Sequence, residues 1–204
     1  MQANIKKMVK EESLWIKKIL EKIKLPQGAN VLDMGSSTLE FRTKIQPYID
    51  RDIFTPLRAR GMQIYHLDKK RDKGVDIVCD IQKITSEKLG RTFDLVLCCS
   101  LLEHLDNPQE IIEKLKIITR PQGFLLVTVP FVYRYHPDPV DTMFRPQLKK
   151  LVSMFGEMRV IDAAVICIKD KARYKKSPVE LMRYYIPFFN WKINCLLLQK
   201  TKKD

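Results

Sequence analysis

The sequence predicts an α/β fold, a doubly wound and mostly parallel sheet of seven strands that closes on an antiparallel C-terminal edge. Three observations predict it. Short strand-like runs alternate with helical apolar spacings over most of the chain, the pattern of βα units on a parallel sheet. Phe93 to Cys99 is a continuous apolar run of the kind buried on both faces of such a sheet. The two closing runs, Arg159 to Ile168 and Ile193 to Leu198, lack a spanning helix pattern of the usual kind, which implies an antiparallel return.

Each element has its own signal. Ile16, Ile19, Leu20 and Ile23 fall at i, i+3, i+4 and i+7, so an amphipathic cap helix precedes the first strand and ends before Pro26 and Gly28. Strand-like runs follow at Asn30 to Met34, Met62 to Leu67 and Val75 to Cys79, each ending in or beside an acidic residue. The first gap has room for two short helices, Thr38 to Ile49 and Arg51 to Arg60. After Phe93 to Cys99, Asn107, Pro108 and Glu110 supply an N-cap, a first-turn proline and a capping-box acid, with Ile111, Ile112, Leu115 and Ile118 as the buried stripe. Arg120 to Gly123 stops that helix, and Phe124 to Val129 is the next strand. A loop from Pro130 to Arg145 leads to a helix opened by Pro146, with Leu148, Leu151, Val152 and Phe155 at helical spacing and Gly156 near its end.

The 204 residues suffice for one domain with a sizeable core, and 45% hydrophobic with 30% charged residues is a soluble globular composition. The longest apolar run, Phe124 to Tyr133, is interrupted and about half the roughly 20 residues that cross a bilayer, and no leader pattern opens the chain. The expected location is therefore the cytoplasm. Cys79, Cys98, Cys99, Cys167 and Cys195 show no Cys-x-x-Cys spacing and read as reduced core residues. With three scattered histidines, no metal is expected. The net charge of +13 favours an anionic partner, such as RNA, a phosphorylated carrier or an anionic membrane surface.

In an open α/β sheet, ligands sit beyond the carboxyl ends of the strands. Asp33 and Gly35 close the first strand, in the run Asp33-Met34-Gly35-Ser36-Ser37-Thr38. A single glycine there suits a ligand without a pyrophosphate, because a dinucleotide site wants three. Asp68 ends the second strand, where a carboxylate can accept a ribose diol. It lies 35 positions beyond Asp33, farther than the roughly 20 of a compact NAD site. Asp80 ends the third strand, placed so that its carboxylate and the Ile81 amide could read an adenine edge.

VLDMGSS, HLD, VCD and FDLVLCCSLLEHLDNP followed by RPQGFLLVTVP resemble the successive motifs of class I S-adenosylmethionine-dependent methyltransferases, over about Val31 to Pro130. The resemblance implies a Rossmann-like fold and S-adenosylmethionine as cofactor. It implies that Asp33, Gly35 and Ser36 contact the methionine portion, Asp68 the ribose, Asp80 and Ile81 the adenine, and Ser100, Leu101 and Glu103 the inner wall. The expected organisation is one domain over residues 1–204: a cap at 1–27, a cofactor-binding core at 28–130, and a substrate side at 131–204 with an insertion at 171–190. The turn departs from the family's D-x-G-x-G-x-G by serines at two positions, which keeps a non-catalytic binding protein of the same fold among the readings.

A sulfonium methyl is already activated, so the enzyme chiefly aligns an acceptor and removes its proton. The loop Tyr133 to Arg145 concentrates the candidates. His136 is a general base with a suitable reference pKa of about 6.5, Asp138 or Asp141 would orient it, Tyr133 and Tyr135 would contact the acceptor, and Arg134 or Arg145 would clamp an anionic one. His104 is the competing base. The same charges could instead pair with one another in a rigid loop. The HPDPVDTMFRP run resembles bacterial and archaeal members associated with glycan or cell-surface biosynthesis, implying a small-molecule, glycan or lipid-linked acceptor methylated at oxygen or nitrogen. RNA is the rival acceptor, although no Asn-Pro-Pro-Tyr-like motif or separate RNA module accompanies the charge. Within 171–190, basic residues beside an aromatic stretch suit a surface at the inner membrane face or a lid, or equally a cover for the sheet edge.

Overall fold

The computed structural model describes residues 8–137, 140–175 and 177–202. Helix α1, Lys10–Lys22, buries Ile16, Ile19 and Leu20 as their spacing predicts, and buries Glu12 and Ser13 as well. Strand β1 is Asn30–Met34. The segment after it departs from the two expected helices: a π turn at Phe41–Ile45, α2 at Pro47–Ile49, a second π turn at Asp50–Phe54, and α3 at Thr55–Ala59. The break falls at Gln46, earlier than expected, because Pro47 starts a new turn and the Gln46 side chain is drawn to the Met8 backbone at 2.9 and 3.3 Å. Pro56 has no amide to give, and a π turn precedes it.

Strand β2 is Gln63–Asp68. Strand β3 is only Ile77–Val78, shorter than the expected Val75 to Cys79. Asp76 explains the loss, since its backbone amide donates to the His66 carbonyl and its carboxylate accepts from the His66 amide, both at 2.8 Å, in place of a strand ladder. A short helix α4, Ser86–Leu89, leads to β4, Phe93–Cys99, with the bounds its apolar run predicts. Helix α5, Pro108–Ile118, is capped by the Asn107 side chain, which accepts from the Glu110 amide, and Ile111, Ile112, Leu115 and Ile118 are its buried face. Strand β5, Thr119–Val132, starts earlier than expected. Arg120 to Gly123 is a bulge inside it, with Phe93 opposite Thr119 and Leu95 opposite Phe124. Helix α6 is Leu148–Met154, β6 Arg159–Cys167, α7 Pro178–Tyr185, and β7 Lys192–Gln199.

The strands lie in the order β3-β2-β1-β4-β5-β7-β6. The pairs from β3 to β5 are parallel, while β7 is antiparallel to both β5 and β6. The antiparallel strand is thus inserted beside the outermost strand rather than being outermost itself. One core cluster joins the sheet to α5 and α6 and includes Val96, Leu115 and Phe155, and another joins its opposite face to α1 and α3 and includes Leu95, Ile16 and Leu57. The sheet is doubly wound, and the order reverses between β1 and β4, where such folds take their ligands. The five cysteines are free thiols. Among the described residues, no helix is long and apolar enough to cross a membrane.

Candidate active site

Beyond the carboxyl ends of β1, β2 and β4 lies a cavity of about 260 Å³. Gly35, Asp68, Asp80, Ile81, Ser100 and Leu101 line it, six of the nine residues expected around a cofactor. Gly35 has φ +70°, and a Cβ there would come 3.0 Å from Leu101 Cδ1, so glycine is required both by the turn and by its neighbour. The Gly35 and Ser36 amides donate to the Leu67 carbonyl at 2.9 and 3.0 Å, which ties the end of β1 to that of β2. Ser100 in the cavity wall and Ser37 in the turn after Gly35 both hold positive φ, 47° and 58°. Non-glycine residues in that conformation persist only where their surroundings fix them.

The surroundings are visible. The Asp68 carboxylate accepts from the Ser37 amide at 2.8 Å and from the Lys70 amide at 3.0 Å, which leaves further lone pairs on both oxygens. Arg42, 1% exposed, donates to the carbonyls of Ser36, Ser37 and Gly74 at 3.0, 2.8 and 2.7 Å. A buried guanidinium therefore holds the serine-containing turn from behind. Asp80 accepts from the Gln82 amide at 3.0 Å and caps a single helical turn that begins at Ile81.

Three expected cofactor residues do not line this cavity. Asp33 and Ser36 border a separate hollow of about 40 Å³ on the far side of Gly35, beside Met8 and Cys99. Asp33 faces His66 across the β1–β2 register, with Nδ1 2.9 Å from Oδ2. Glu103 is completely buried and lies outside both hollows, where burial pushes its carboxyl up to about 8. Its oxygens have no hydrogen-bonding side chain within reach among the described residues. His104 Nε2 lies 3.9 Å from Oε1 and His136 Nε2 4.0 Å from it.

Glu103 thus joins the cavity to the Tyr133 to Arg145 loop. His104 lines the cavity and faces the Val140 carbonyl through Nδ1, and its ring meets that of His136 edge-on at 5.2 Å. His136 sets Nδ1 3.0 Å from Asp141 Oδ2 and 3.1 Å from the Arg134 carbonyl. Arg145 Nη2, a donor, lies farther away at 3.3 Å, so the two nearer acceptors favour the proton on Nδ1, with the Nε2 lone pair toward Glu103. Burial lowers the His136 pKa from the usual value, partly opposed by the Arg134 carbonyl and the charge of Asp141. Asp141 accepts from the amides of His136 and Met143, both at 2.9 Å, and from Arg145 at 2.7 Å. Burial works against its charge, but those donors hold it below the usual carboxylate range.

Arg145 is therefore committed to Asp141, and Arg134 pairs with Glu180 at 3.3 Å and lies over the Tyr133 ring. The self-pairing anticipated from sequence holds for His136, Asp141 and Arg145, whereas Arg134 pairs outside the loop. Tyr133 stacks edge-on against His136, whereas Tyr135 points outward and is 60% exposed. Asp138 lies outside the described residues. Glu103, His104 and His136 are also near enough together to hold a metal ion, with ligand atoms within 4.8 Å of one another. Their 3.9 and 4.0 Å separations exceed the roughly 3.4 Å that zinc bonds of about 2.1 Å impose in a tetrahedral site.

Glu12, bonded to Ser100 of the cavity wall, is a residue the sequence did not single out. From the first turn of α1 its buried carboxylate reaches the Ser100 hydroxyl at 3.4 Å and the Thr128 hydroxyl, at the ends of β4 and β5. Its position on the apolar stripe, four residues before Ile16, was the available signal, because an acid on the buried face of a cap helix points at the sheet.

The model of a methyltransferase domain family matches residues 7–168. None of the curated proteins compared matches the sequence. Among solved structures, coclaurine N-methyltransferase bound to N-methylheliamine and S-adenosylhomocysteine is similar at TM-score 0.60 and 13% identity, over 93% of this chain and 73% of that one. The (4+2)-cyclase SpnF is similar at 0.59 and 13%, over 94% and 82%. Haemonchus contortus phospholethanolamine N-methyltransferase 2, in complex with phosphomonomethylethanolamine and S-adenosylhomocysteine, is similar at 0.58 and 15%, over 92% of this chain, which spans 52% of that one. At these identities the likeness is one of fold. The family match covers most of the chain, the strand order and the cavity at its reversal agree with it, and the chain therefore belongs to the methyltransferase domain family, as a class I S-adenosylmethionine-dependent methyltransferase.

Proposed function

We propose that this enzyme methylates an oxygen or nitrogen of a small-molecule or glycan acceptor, lipid-linked and met at the inner face of a membrane, with His136 as the base. Gly35, Asp68, Asp80, Ile81, Ser100 and Leu101 would hold S-adenosylmethionine, since they line one cavity and a side chain at position 35 would press on its wall. Asp33 and Ser36 border the smaller hollow on the other side of Gly35. When bound, S-adenosylmethionine supplies a methyl group already activated as a sulfonium.

The observation that carries the reading is the fixed Nδ1 of His136 with its Nε2 turned toward Glu103 and His104, the latter in the cavity wall. At neutral pH the lowered pKa leaves His136 unprotonated, able to take the acceptor proton on Nε2. Asp141 stabilises the resulting imidazolium through Nδ1. Glu103, its carboxyl pushed up to about 8, is mostly protonated at neutral pH and places a neutral acid next to both imidazoles. Tyr133 packs against the base, and Arg134 lies beside it at the loop surface.

Incubation with labelled S-adenosylmethionine and extracted membrane lipids, soluble glycans or total RNA tests the acceptor. Label in the lipid or glycan fraction that is lost in His136→Ala is the expected result. Label confined to RNA, or a folded protein that does not bind S-adenosylmethionine, would sink the reading.

A further inference from the structure

Helix α7 is amphipathic the wrong way round for a globular protein. Its inward side carries Glu180, paired with Arg134, and Tyr184, packed edge-on against Tyr174. Its outward side carries Val179, Met182 and Tyr185, all exposed, and no residue of the helix is buried. The turn that follows continues the surface with Ile186, Phe188 and Phe189, and Phe188 is 80% exposed. An apolar cover for the sheet edge would show the opposite burial.

Cations frame this patch. Residues 169–192 contain seven lysines and arginines against two acids. Lys171 lies 4.8 Å over the Tyr185 ring and Lys192 5.4 Å over Phe188, while Arg183 stacks inward, 4.7 Å over the buried Trp191. Aromatic rings exposed at the centre with ammonium groups at their rims are the arrangement of an interfacial anchor, in which rings enter the acyl boundary while cations stay at the headgroups. A contiguous exposed apolar patch on a chain of this charge also has few other favourable surroundings.

We infer that α7 and the Ile186 to Phe189 turn dock on an anionic lipid surface, with Phe188 and Phe189 inserted and Lys171 and Lys192 against the headgroups. The patch connects to the acceptor loop through the Arg134–Glu180 pair, so docking would bring a lipid-linked acceptor to the His136 side of the mouth. This deepens the proposed function but is measured without turnover, so either can fail alone.

The test is cosedimentation of the full chain with vesicles of phosphatidylcholine alone or mixed with phosphatidylglycerol, at low and high salt. Binding to the mixed vesicles should exceed binding to neutral ones by about 10-fold and weaken with salt. A Phe188→Glu/Phe189→Glu variant with an unchanged circular dichroism spectrum should lose about 10-fold on the mixed vesicles. Lys171→Glu/Lys192→Glu should lose mainly the salt-sensitive part. Equal binding by the phenylalanine variant and the parent would overturn the inference, as would no vesicle binding. So would a dimer in light scattering, or RNA retention, that the phenylalanine variant abolishes.

Discussion

The two proposed sides of the mouth, one for the cofactor and one for the acceptor, are built differently. The cofactor side is made by backbone at strand ends, with the Gly35 and Ser36 amides on the Leu67 carbonyl and Asp68 and Arg42 holding the turn at its main chain. The acceptor side is made by side chains from distant segments, where Glu103 and His104 after β4 meet His136, Asp141 and Arg145 of the loop after β5. A backbone site depends on whatever fixes the main chain. A side-chain cluster can lose its chemistry and keep its shape.

The largest contrast should come from Arg42. Arg42→Ala removes a buried charge that satisfies three carbonyls, and should cost about 3 to 5 kcal/mol of stability. S-adenosylhomocysteine affinity should fall with it. Arg145→Ala breaks the 2.7 Å bond to Asp141 in a loop that the sheet does not rest on, so stability should drop by about half as much and cofactor affinity stay near the parent's. Urea denaturation with calorimetry checks both, and equal losses would erase the distinction.

Asp68 and His136 separate the two sides by function. Asp68→Ala loses a cavity carboxylate and the clamp on Ser37, and should weaken S-adenosylhomocysteine binding about 100-fold. His136→Ala should leave that affinity within about 2-fold while slowing turnover 100-fold or more. Parallel changes in both quantities would show that the partition is wrong.

Much of the cofactor side was legible because it is local. A strand carries its signal in five to seven consecutive residues, as Asn30 to Met34, with Asp33 near its end, and Phe93 to Cys99 do. Arg42 was not legible, since a charged residue in a helical stretch normally faces water and only the packing shows otherwise. Nor was the shortening of β3, which follows from Asp76 taking both hydrogen-bonding groups of His66. On the acceptor side the loop's residue types pointed to His136. Its junction with Glu103 spans 33 positions and depends on tertiary placement. The commitment of Arg145 to Asp141, rather than to an acceptor, likewise needed the structure.

The acid limb of turnover refines the picture of the acceptor side. His136 must be neutral to take a proton, so activity should fall as pH drops through a value below 6.5. Asp141 raises that value through its charge. Asp141→Asn should therefore move the limb to lower pH and, with the imidazolium less stabilised, slow the plateau rate by about 10-fold. An unmoved limb would assign the titration to another group.

Glu12 tests whether the cap helix belongs to the cofactor side or merely covers it. Burial raises its pKa above 4.5, opposed by Thr128, the Val9 amide and Arg173, so the folded state favours the protonated acid. Protons are then bound more tightly in the folded chain than in the unfolded one. The resulting stability is present below about 4.5 and is lost as pH rises through the folded value. A side-chain amide at this position has no such dependence, so Glu12→Gln should gain stability on the parent as pH rises, read by urea denaturation at several pH values. Thr128 and Ser100 can still bond the amide, and Ser100 lines the cavity. An accompanying change in S-adenosylhomocysteine affinity would make Glu12 part of the cofactor side, whereas a stability effect alone would make α1 a cover whose one buried acid bridges β4 and β5.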